Sequence, residues 1–282
     1  MKSFNTLGVA KPIQRTLRQI GFSRPTEIQT SCIPLILNHH NIIGCSRTGS
    51  GKTAAYLIPL VQLLEKHSDI IGTRALLLLP NRELALQTVS LLKKLVKETD
   101  LRYTILLGGH DYEGQFEGLS ANPDIVVASP GRLMELLDHT EFSLQSLEML
   151  VIDEADYLFE SQHLFQMNKI FSKLNTLRQT LMFSATIPDS LETFARAGTK
   201  EFKIVKLSSE FSLSPSLEID FFVVNDMDKK ALLLKMLKEE VIQTKKKALV
   251  FVATHYRVEE MELLLKTNLN LGGNKLFIFR KF

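Results

Sequence analysis

The sequence predicts an α/β fold in which a mostly parallel β-sheet is covered by helices on both faces. Short apolar runs alternate with helically patterned stretches along almost the whole chain, and polar motifs follow directly after most of the runs. Ligands bind at the carboxyl ends of the strands of such sheets, which is where these motifs fall. The strands predicted in the first part of the chain are residues 42–44, 75–79, 104–107, 125–128, 149–152, 180–183 and 202–206.

The chain divides into one complete pattern and the start of a second. Helical patterns lie between most strands, for example over residues 82–97 and 188–197, and the serine-rich segment LSSEFSLSPS at 207–216 predicts a linker. About two strand–helix units follow, which cannot cover a sheet of their own. We therefore predict a complete domain over 1–206 and part of a second over 217–282. The elements predicted in the second part are strands at 219–224 and 248–252, helices at 229–240 and 258–265, and one further strand in the tail.

The composition is that of an ordinary globular protein, and its net charge of +3 is too small to indicate a nucleic-acid partner by itself. Cys32 and Cys45 lie in apolar context and are predicted to be buried and reduced, without a disulfide framework or metal site. The first residues lack the apolar core of a signal peptide, and no apolar run is long enough to span a bilayer. We therefore expect an intracellular, reducing compartment.

The segment SRTGSGKT fits a loop that holds the phosphates of a nucleotide. Gly49, Gly51, Lys52 and Thr53 match the pattern G-x-x-x-x-G-K-[ST], in which the lysine supplies positive charge and the hydroxyl binds Mg²⁺. Ser46 replaces the first glycine, but serine is small and reaches most of the required backbone angles. The alternative is an ordinary Gly/Ser turn before a helix. The strand before the loop and the helix after it favour a phosphate site at a helix N-terminus.

The segment LVIDEAD supplies the carboxylates that a magnesium-dependent site requires. Asp153 and Glu154 emerge at the end of the predicted strand 149–152. We expect Asp153 to hold Mg²⁺ largely through water, together with Thr53, and Glu154 to orient and deprotonate an attacking water. The alternative is a solvated turn or an acid-rich helix N-terminus. The phosphate loop earlier in the chain favours the catalytic interpretation.

Together these motifs resemble those of the DEAD-box RNA helicases. They follow in the order and spacing of the first domain of that family, over nearly all of the chain. The resemblance implies a RecA-like fold, ATP and Mg²⁺ as cofactors, and RNA as a partner that is bound without sequence preference. The matching segments are GFSRPTEIQ (21–29), SRTGSGKT (46–53), PNRELA (80–85), GG (108–109), SPGR (129–132), DEAD (153–156) and SAT (184–186).

The resemblance assigns an adenine site and a phosphate site. Gln29 is expected to hydrogen-bond the adenine edge, Phe4 to pack against the base, and Phe22 to support that loop. The alternative for both phenylalanines is core packing, and Thr26 is expected to cap the helix that begins near Pro25. The loop residues assigned to the ATP phosphates are Arg47, Thr48, Gly49, Ser50, Gly51, Lys52 and Thr53.

A second group of residues resembles the family segments that grip RNA phosphates and sugars. Asn81 and Ser129 stand where the family usually has threonine, and both can cap helices whose N-termini face phosphate. Arg82 and Arg132 bring positive charge. The alternatives are tight turns at the glycines and ion pairs within the protein at the arginines. The residues assigned to RNA are Pro80, Asn81, Arg82, Gly108, Gly109, Ser129, Pro130, Gly131 and Arg132.

Ser184 and Thr186 lie in SAT, whose hydroxyls in the family bond the DEAD loop and couple hydrolysis to strand separation; a simple strand-end cap is the alternative.

Three further segments resemble the nucleolar subfamily that acts in large ribosomal subunit biogenesis. That resemblance implies ribosomal RNA processing, pre-ribosomal particles as partners and a location in the nucleus and nucleolus. The three segments are NPDIVVASPGRL, LETFARAGT and ALVFVATHYRVEEMELLL.

The family motor uses two domains, and ALVFVAT at 248–254 resembles the first motif of the second one. The later motifs ARGxD and HRxGRxxR do not occur in the 282 residues, so we expect a truncated form with weak hydrolysis and no unwinding. The alternative function is a non-catalytic module that binds ATP or RNA. A GTPase is disfavoured because the guanine motif N-K-x-D is absent: NKIF and NKLF lack its aspartate.

Overall fold

The structure is a computed structural model. The structure describes residues 2–109, 112–139, 142–174, 178–197, 201–207, 218–244, 248–269 and 276–280. The chain forms two compact units, residues 1–213 and 214–282, which are described separately. Apart from residue 207, the predicted linker lies outside the described residues.

The first unit is built on a seven-stranded sheet in which every pair of neighbouring strands is parallel. The order of the strands across the sheet is β3-β4-β2-β5-β6-β1-β7. The strands are β1 (Asn41–Cys45), β2 (Ala75–Leu78), β3 (Tyr103–Leu106), β4 (Ile125–Ala128), β5 (Met149–Ile152), β6 (Gln179–Ser184) and β7 (Phe202–Lys206). All seven predicted strands are therefore confirmed, and the largest change is a shift of one residue in β3.

Among the described residues, nine helices accompany this sheet: two precede β1, and the other seven lie between strands. A short 3₁₀ turn at Asn5–Leu7 comes before all of them. Helices were predicted over residues 82–97 and 188–197. The observed helices begin and end within two residues of these predictions. The helices are α1 (Lys11–Gln19), α2 (Glu27–Leu37), α3 (Lys52–Leu64), α4 (Arg82–Leu95), α5 (Tyr112–Ser120), α6 (Pro130–His139), α7 (Ala155–Leu158), α8 (Ser161–Ser172) and α9 (Asp189–Ala197).

The sheet has an apolar core on each face, as predicted. Successive side chains of a strand point to opposite faces, so Ala75 and Leu77 of β2 join one cluster while Leu76 and Leu78 join the other. Both clusters consist of fully or almost fully buried side chains. The strands read as continuous apolar runs because helices cover both sides of the sheet.

The second unit contains α10 (Lys229–Met236), a π-helical stretch at Leu237–Ile242, β8 (Ala248–Val252), α11 (His255–Asn268) and β9 (Leu276–Arg280). The two strands are parallel and pair with each other. The prediction of strand 248–252 is confirmed, as is a strand in the tail. The predicted helix 258–265 is longer at both ends, and the predicted helix 229–240 changes to π-helix after α10.

The predicted strand 219–224 is wrong, because residues 218–225 form no regular element. A strand needs a neighbour for its backbone hydrogen bonds, and the described residues provide none for this segment. Phe221 and Val223 are exposed instead of packed. The local apolar pattern was correct for a strand, but strand formation depends on pairing that a local pattern does not contain.

Two expectations from composition can be compared with the structure. Cys32 and Cys45 are buried thiols, as predicted. Burial raises the pKa of Cys32 to about 12, so its thiol stays protonated. Among the described residues, no helix combines the length and apolar character that crossing a membrane requires.

Candidate nucleotide and RNA site

The predicted site residues gather at one edge of the sheet, at the carboxyl ends of the strands. The phosphate loop follows β1, the DEAD segment follows β5, and SAT lies at the end of β6. Since β6 lies between β5 and β1, these three segments are neighbours. The segments predicted to bind RNA follow β2, β3 and β4, which are also adjacent to one another. Parallel topology thus separates the two predicted sites along a single edge.

The phosphate loop turns sharply between β1 and α3. Gly49 and Gly51 have φ values of 80° and 97°, in the left-handed region that favours glycine. The replaced position is well accommodated: the Ser46 side chain is buried, and its hydroxyl lies 2.7 Å from that of Ser50. Helix α3 begins directly at Lys52 and has 13 residues, so the loop presents backbone N–H groups at a helix N-terminus.

Lys52 is buried beside the loop that it follows. Its side chain is 6% exposed, and Nζ donates a hydrogen bond of 2.9 Å to the carbonyl of Ser46. The same Nζ lies 3.8 Å from Oε1 of Glu154. The lysine therefore connects the phosphate loop with the acidic segment that follows β5. A buried ammonium group in this position is suited to compensate phosphate charge.

Asp153 and Glu154 follow directly after β5. Oδ1 of Asp153 accepts the Glu154 N–H at 2.9 Å, and Oδ2 accepts the Tyr56 hydroxyl at 2.8 Å. Burial raises the pKa of Asp153, while these two hydrogen bonds and Lys52 act to lower it. Burial also raises the pKa of Glu154, and Lys52 lowers it. Each carboxylate is thus desolvated but lies beside a compensating cation.

Glu154 adopts a strained backbone conformation. Its φ is 50° and its ψ is 50°, which is left-handed for a residue that is neither glycine nor asparagine. Such a conformation costs about 1–3 kcal/mol and is concentrated at functional sites. The strain turns the chain between β5 and α7, so that the Glu154 side chain lies near Lys52.

SAT contacts the DEAD segment through Asp156. The Ser184 hydroxyl accepts the Asp156 N–H at 3.2 Å and donates to the carbonyl of Thr186. Thr186 donates to Oδ2 of Asp156 twice, from its N–H at 3.1 Å and its hydroxyl at 2.9 Å. The predicted bonds between these hydroxyls and the DEAD loop are therefore present. Asp156 was not among the predicted site residues, although its place in DEAD was a usable signal.

Gln29 joins the first motif to the phosphate loop. It forms a capping box with Thr26 at the start of α2, which confirms the predicted cap, and its Nε2 donates a 3.1 Å hydrogen bond to the carbonyl of Gly51. A Cβ atom at Gly51 would lie 2.5 Å from that Nε2, so the glycine permits the close approach. Phe4 is buried in the core and Phe22 packs partly against it. The role of these residues toward adenine stays a prediction.

Helix α4 presents its first turn at the predicted RNA site. Asn81 caps the helix, as predicted, because its Oδ1 accepts the Leu84 N–H at 3.0 Å. Arg82 is exposed and follows at the first helical position. Gly108 and Gly109 are exposed after β3, and Gly109 has a φ of 72°. A cationic side chain after β2 and exposed backbone after β3 therefore both face solvent, and β4 lies between these two strands in the sheet.

Arg132 is held inside the protein. Its side chain is 5% exposed, Nε donates to Oε1 of Gln115 at 3.0 Å, and Nη1 donates to Oε2 of Glu135 at 2.6 Å. The alternative interpretation, an ion pair within the protein, therefore describes this arginine in the structure. Near it, Gly131 is exposed and Ser129 is half-buried. Of the two predicted arginines, Arg82 is the one that the structure leaves open to solvent.

Tyr56 was not predicted as a site residue. It lies four residues after Lys52 on α3, and its hydroxyl reaches Asp153. Spacing of three or four residues places side chains on one face of a helix, so the sequence could have placed Tyr56 on the side of Lys52. The contact with Asp153 depends on the pairing of β5 with β6 and of β6 with β1, which spacing does not give.

The residues at this edge fit a magnesium–triphosphate group. Lys52 and the N-terminus of α3 provide positive charge, and a Cβ atom at Gly49 would meet no atom within 4 Å among the described residues, so that side of the loop is open. The oxygens of Thr53 and Asp153 are of the kind that Mg²⁺ prefers. The donor set therefore suits a phosphate-bound cation.

The Gln29 contact can be tested by a single isosteric change. We predict that Gln29→Glu raises the Kd for ATP about tenfold, roughly 1.4 kcal/mol, because a carboxylate cannot donate to the Gly51 carbonyl. Glutamate still serves at this position of a capping box, so α2 should remain capped. Binding of a fluorescent ATP analogue measures the effect, and Gln145→Glu, at an exposed residue, is the matched control. If Gln29→Glu and the parent chain bound ATP with equal affinity, the Gln29–Gly51 hydrogen bond would have no role in ATP binding.

Comparison with known proteins identifies the family. Residues 26–194 match the DEAD/DEAH box helicase family. The chain is 42% identical over 264 residues to DEAD-box ATP-dependent RNA helicase 29 of Oryza sativa subsp. indica, covering 93% of this chain and 31% of that protein. It is 44% identical over 238 residues to ATP-dependent RNA helicase DBP10 of Chaetomium globosum, covering 84% of this chain and 31% of that protein. The chain thus spans about a third of the length of these relatives.

A solved structure gives the same result for the fold. The crystal structure of a DEAD box protein from the hyperthermophile Methanococcus jannaschii matches with a TM-score of 0.69 and 27% identity, covering 99% of this chain and 80% of that one. The predicted RecA-like fold is therefore confirmed. The chain belongs to the DEAD/DEAH box helicase family.

Proposed function

We propose that the first unit binds ATP with Mg²⁺ and RNA as the first domain of an ATP-dependent RNA helicase. The observation that carries this proposal is the meeting of Lys52, Asp153 and Glu154 at one end of the sheet. The residues assigned to RNA lie along the same edge, after the neighbouring strands. Membership of the family implies that a nucleotide is used. The binding of Mg²⁺ and the roles of individual residues are part of the proposal.

The nucleotide site assigns one task to each side chain. The loop from Ser46 to Gly51 and the N-terminus of α3 bind the phosphates, and Lys52 compensates their charge. Thr53 and Asp153 hold Mg²⁺, which neutralises charge on the phosphates when bound. The Glu154 carboxylate lies beside these groups and accepts a proton from the attacking water.

RNA is bound through its backbone. Arg82 and the N-terminus of α4 supply charge and N–H groups for phosphate, and the glycines after β3 allow close approach of the chain. Contacts of this kind read no bases, so affinity should be similar for different sequences and should fall with salt. The bonds of Asp156 with Ser184 and Thr186 link the DEAD segment to the end of β6.

The biological setting is proposed from the resemblance alone. Three segments of the chain resemble the nucleolar helicases of large ribosomal subunit biogenesis, and relatives of 39–44% identity carry the name DBP10. We propose ribosomal RNA processing within pre-ribosomal particles, in the nucleolus. Co-localisation of the tagged protein with a nucleolar marker, measured by fluorescence microscopy, tests this location. Exclusion of the protein from the nucleolus would refute it.

The activity of the 282-residue polypeptide tests the proposed chemistry. We expect Mg²⁺-dependent ATP binding with weak hydrolysis, because the 282 residues contain no HRxGRxxR motif and an arginine finger is worth about 10³–10⁵ in rate. RNA-stimulated phosphate release measures turnover, and Glu154→Gln should bind ATP but abolish the residual rate. Turnover equal to that of a two-domain helicase would contradict the expectation. A residual rate that Glu154→Gln leaves unchanged would contradict the assigned role of Glu154, and preference for GTP over ATP would contradict the nucleotide.

Arg82 gives a separate test of the RNA surface. We predict that Arg82→Ala weakens binding to single-stranded RNA about equally for different sequences, and lowers the slope of log Kobs against log[salt] by about 0.7–1. Fluorescence anisotropy at several salt concentrations measures both quantities. Arg178→Ala is the matched control, because Arg178 precedes β6 and lies at the opposite edge of the sheet. An unchanged salt slope for Arg82→Ala would contradict a phosphate contact.

A further inference from the structure

Tyr56 lies between the phosphate loop and the acidic segment without a task in the function described above. It is fully buried on α3, and its hydroxyl donates a 2.8 Å hydrogen bond to Oδ2 of Asp153. We propose that Tyr56 is a positioning residue, whose hydroxyl fixes the Asp153 carboxylate in the orientation that the magnesium–nucleotide complex requires. This inference rests on the proposed function of the site and adds a residue to it.

The Tyr56 side chain is itself in contact with two other elements, β6 and α4. Its centroid lies 5.2 Å from that of Phe183 on β6, in a tilted arrangement, and its hydroxyl lies 3.5 Å from the Thr88 hydroxyl on α4. Phe183 is also fully buried. A tyrosine side chain has only two rotatable bonds, so packing on this scale leaves the hydroxyl little freedom. A rigid donor is what a positioning residue needs.

The Asp153 carboxylate is held at both oxygens. Oδ1 accepts the Glu154 N–H and Oδ2 accepts the Tyr56 hydroxyl, so rotation of the carboxylate would break both bonds. An ionised carboxylate has about four lone-pair sites, and these two bonds occupy one on each oxygen. The remaining sites are available to water or a cation. Without the tyrosine hydroxyl, the backbone bond from Glu154 would be the one remaining hydrogen bond to this group among the described residues.

The electrostatics are consistent with this arrangement. Burial raises the pKa of Tyr56 well above its ordinary value, and Asp153 raises it further. The hydroxyl donates to Asp153, one of the two residues proposed to hold Mg²⁺.

Core packing is the competing explanation, and it needs only the ring. Most of the Tyr56 side chain is apolar and joins the core cluster on one face of the sheet, so a phenylalanine would fill the same space. The two explanations differ in the hydroxyl alone. Tyr56→Phe removes that one atom, and Tyr103→Phe removes the same atom from β3, three strands away from β5 across the sheet.

The test compares ATP binding with and without magnesium. We expect Tyr56→Phe to raise the Kd for ATP about tenfold in excess Mg²⁺ and less than about twofold in EDTA, because the hydroxyl acts through the cation site. Tyr103→Phe should match the parent chain in both conditions. Equal affinity of Tyr56→Phe and the parent, or an equal loss in both conditions, would overturn the proposal and leave a packing role.

A double-mutant cycle with Asp153→Asn provides the second measurement. The Tyr56 hydroxyl should contribute nothing further to Mg²⁺-dependent affinity once the carboxylate is replaced, so the two effects should not add. Additive effects would overturn the proposal, and thermal unfolding verifies that each variant is folded. If the parent chain itself does not bind ATP, the proposed function fails and this inference fails with it. If the parent binds and Tyr56→Phe binds equally, only the inference fails.

Discussion

The first unit depends on one buried cation, Lys52, placed beside two carboxylates at the end of a parallel sheet. A buried charge is costly alone, and that of Lys52 is offset by Glu154, whose Oε1 lies 3.8 Å from Nζ, and by the neighbouring Asp153. The pairing of β1 with β6 and of β6 with β5 sets these distances, since it brings the phosphate loop and the DEAD segment to the same edge. A triphosphate with a divalent cation would add both signs of charge to this group, which explains why the site is built from a lysine and acids together.

Hydrogen bonds and one ion pair connect the motifs at this edge of the sheet. Gln29 bonds the phosphate loop, Lys52 connects that loop to Glu154, and Asp156 bonds Ser184 and Thr186. Segments far apart in sequence therefore stabilise one another through direct contacts. Glu154, in its strained conformation, lies within this group, and its neighbours hold it there. A change at one motif is expected to reach the next through these contacts, without any need for a distant rearrangement.

The sequence was sufficient for the sheet of the first unit and for the place of its motifs. Continuous apolar runs such as 125–128 and 149–152 match the observed strands residue for residue, because a strand buried on both faces has few alternatives. Strand 219–224 failed because pairing, which is tertiary, decides whether an apolar run becomes a strand. Tyr56 was missed for the same reason: helical spacing gives the face of a side chain, and the contact with Asp153 depends on another element. For Arg132 the sequence left an RNA contact and an internal ion pair open, and the structure shows the ion pair.

Titration calorimetry of ATP binding in Mg²⁺ tests the central claim most directly, with Lys52→Ala compared with the parent chain and with Lys94→Ala on the exposed surface of α4. The account predicts a loss of at least about thirtyfold in affinity for Lys52→Ala, roughly 2 kcal/mol, because the phosphates lose their buried cation. Lys94→Ala should bind as the parent does. Unchanged affinity of a folded Lys52→Ala variant would contradict the claim that a triphosphate lies between the phosphate loop and the carboxylates.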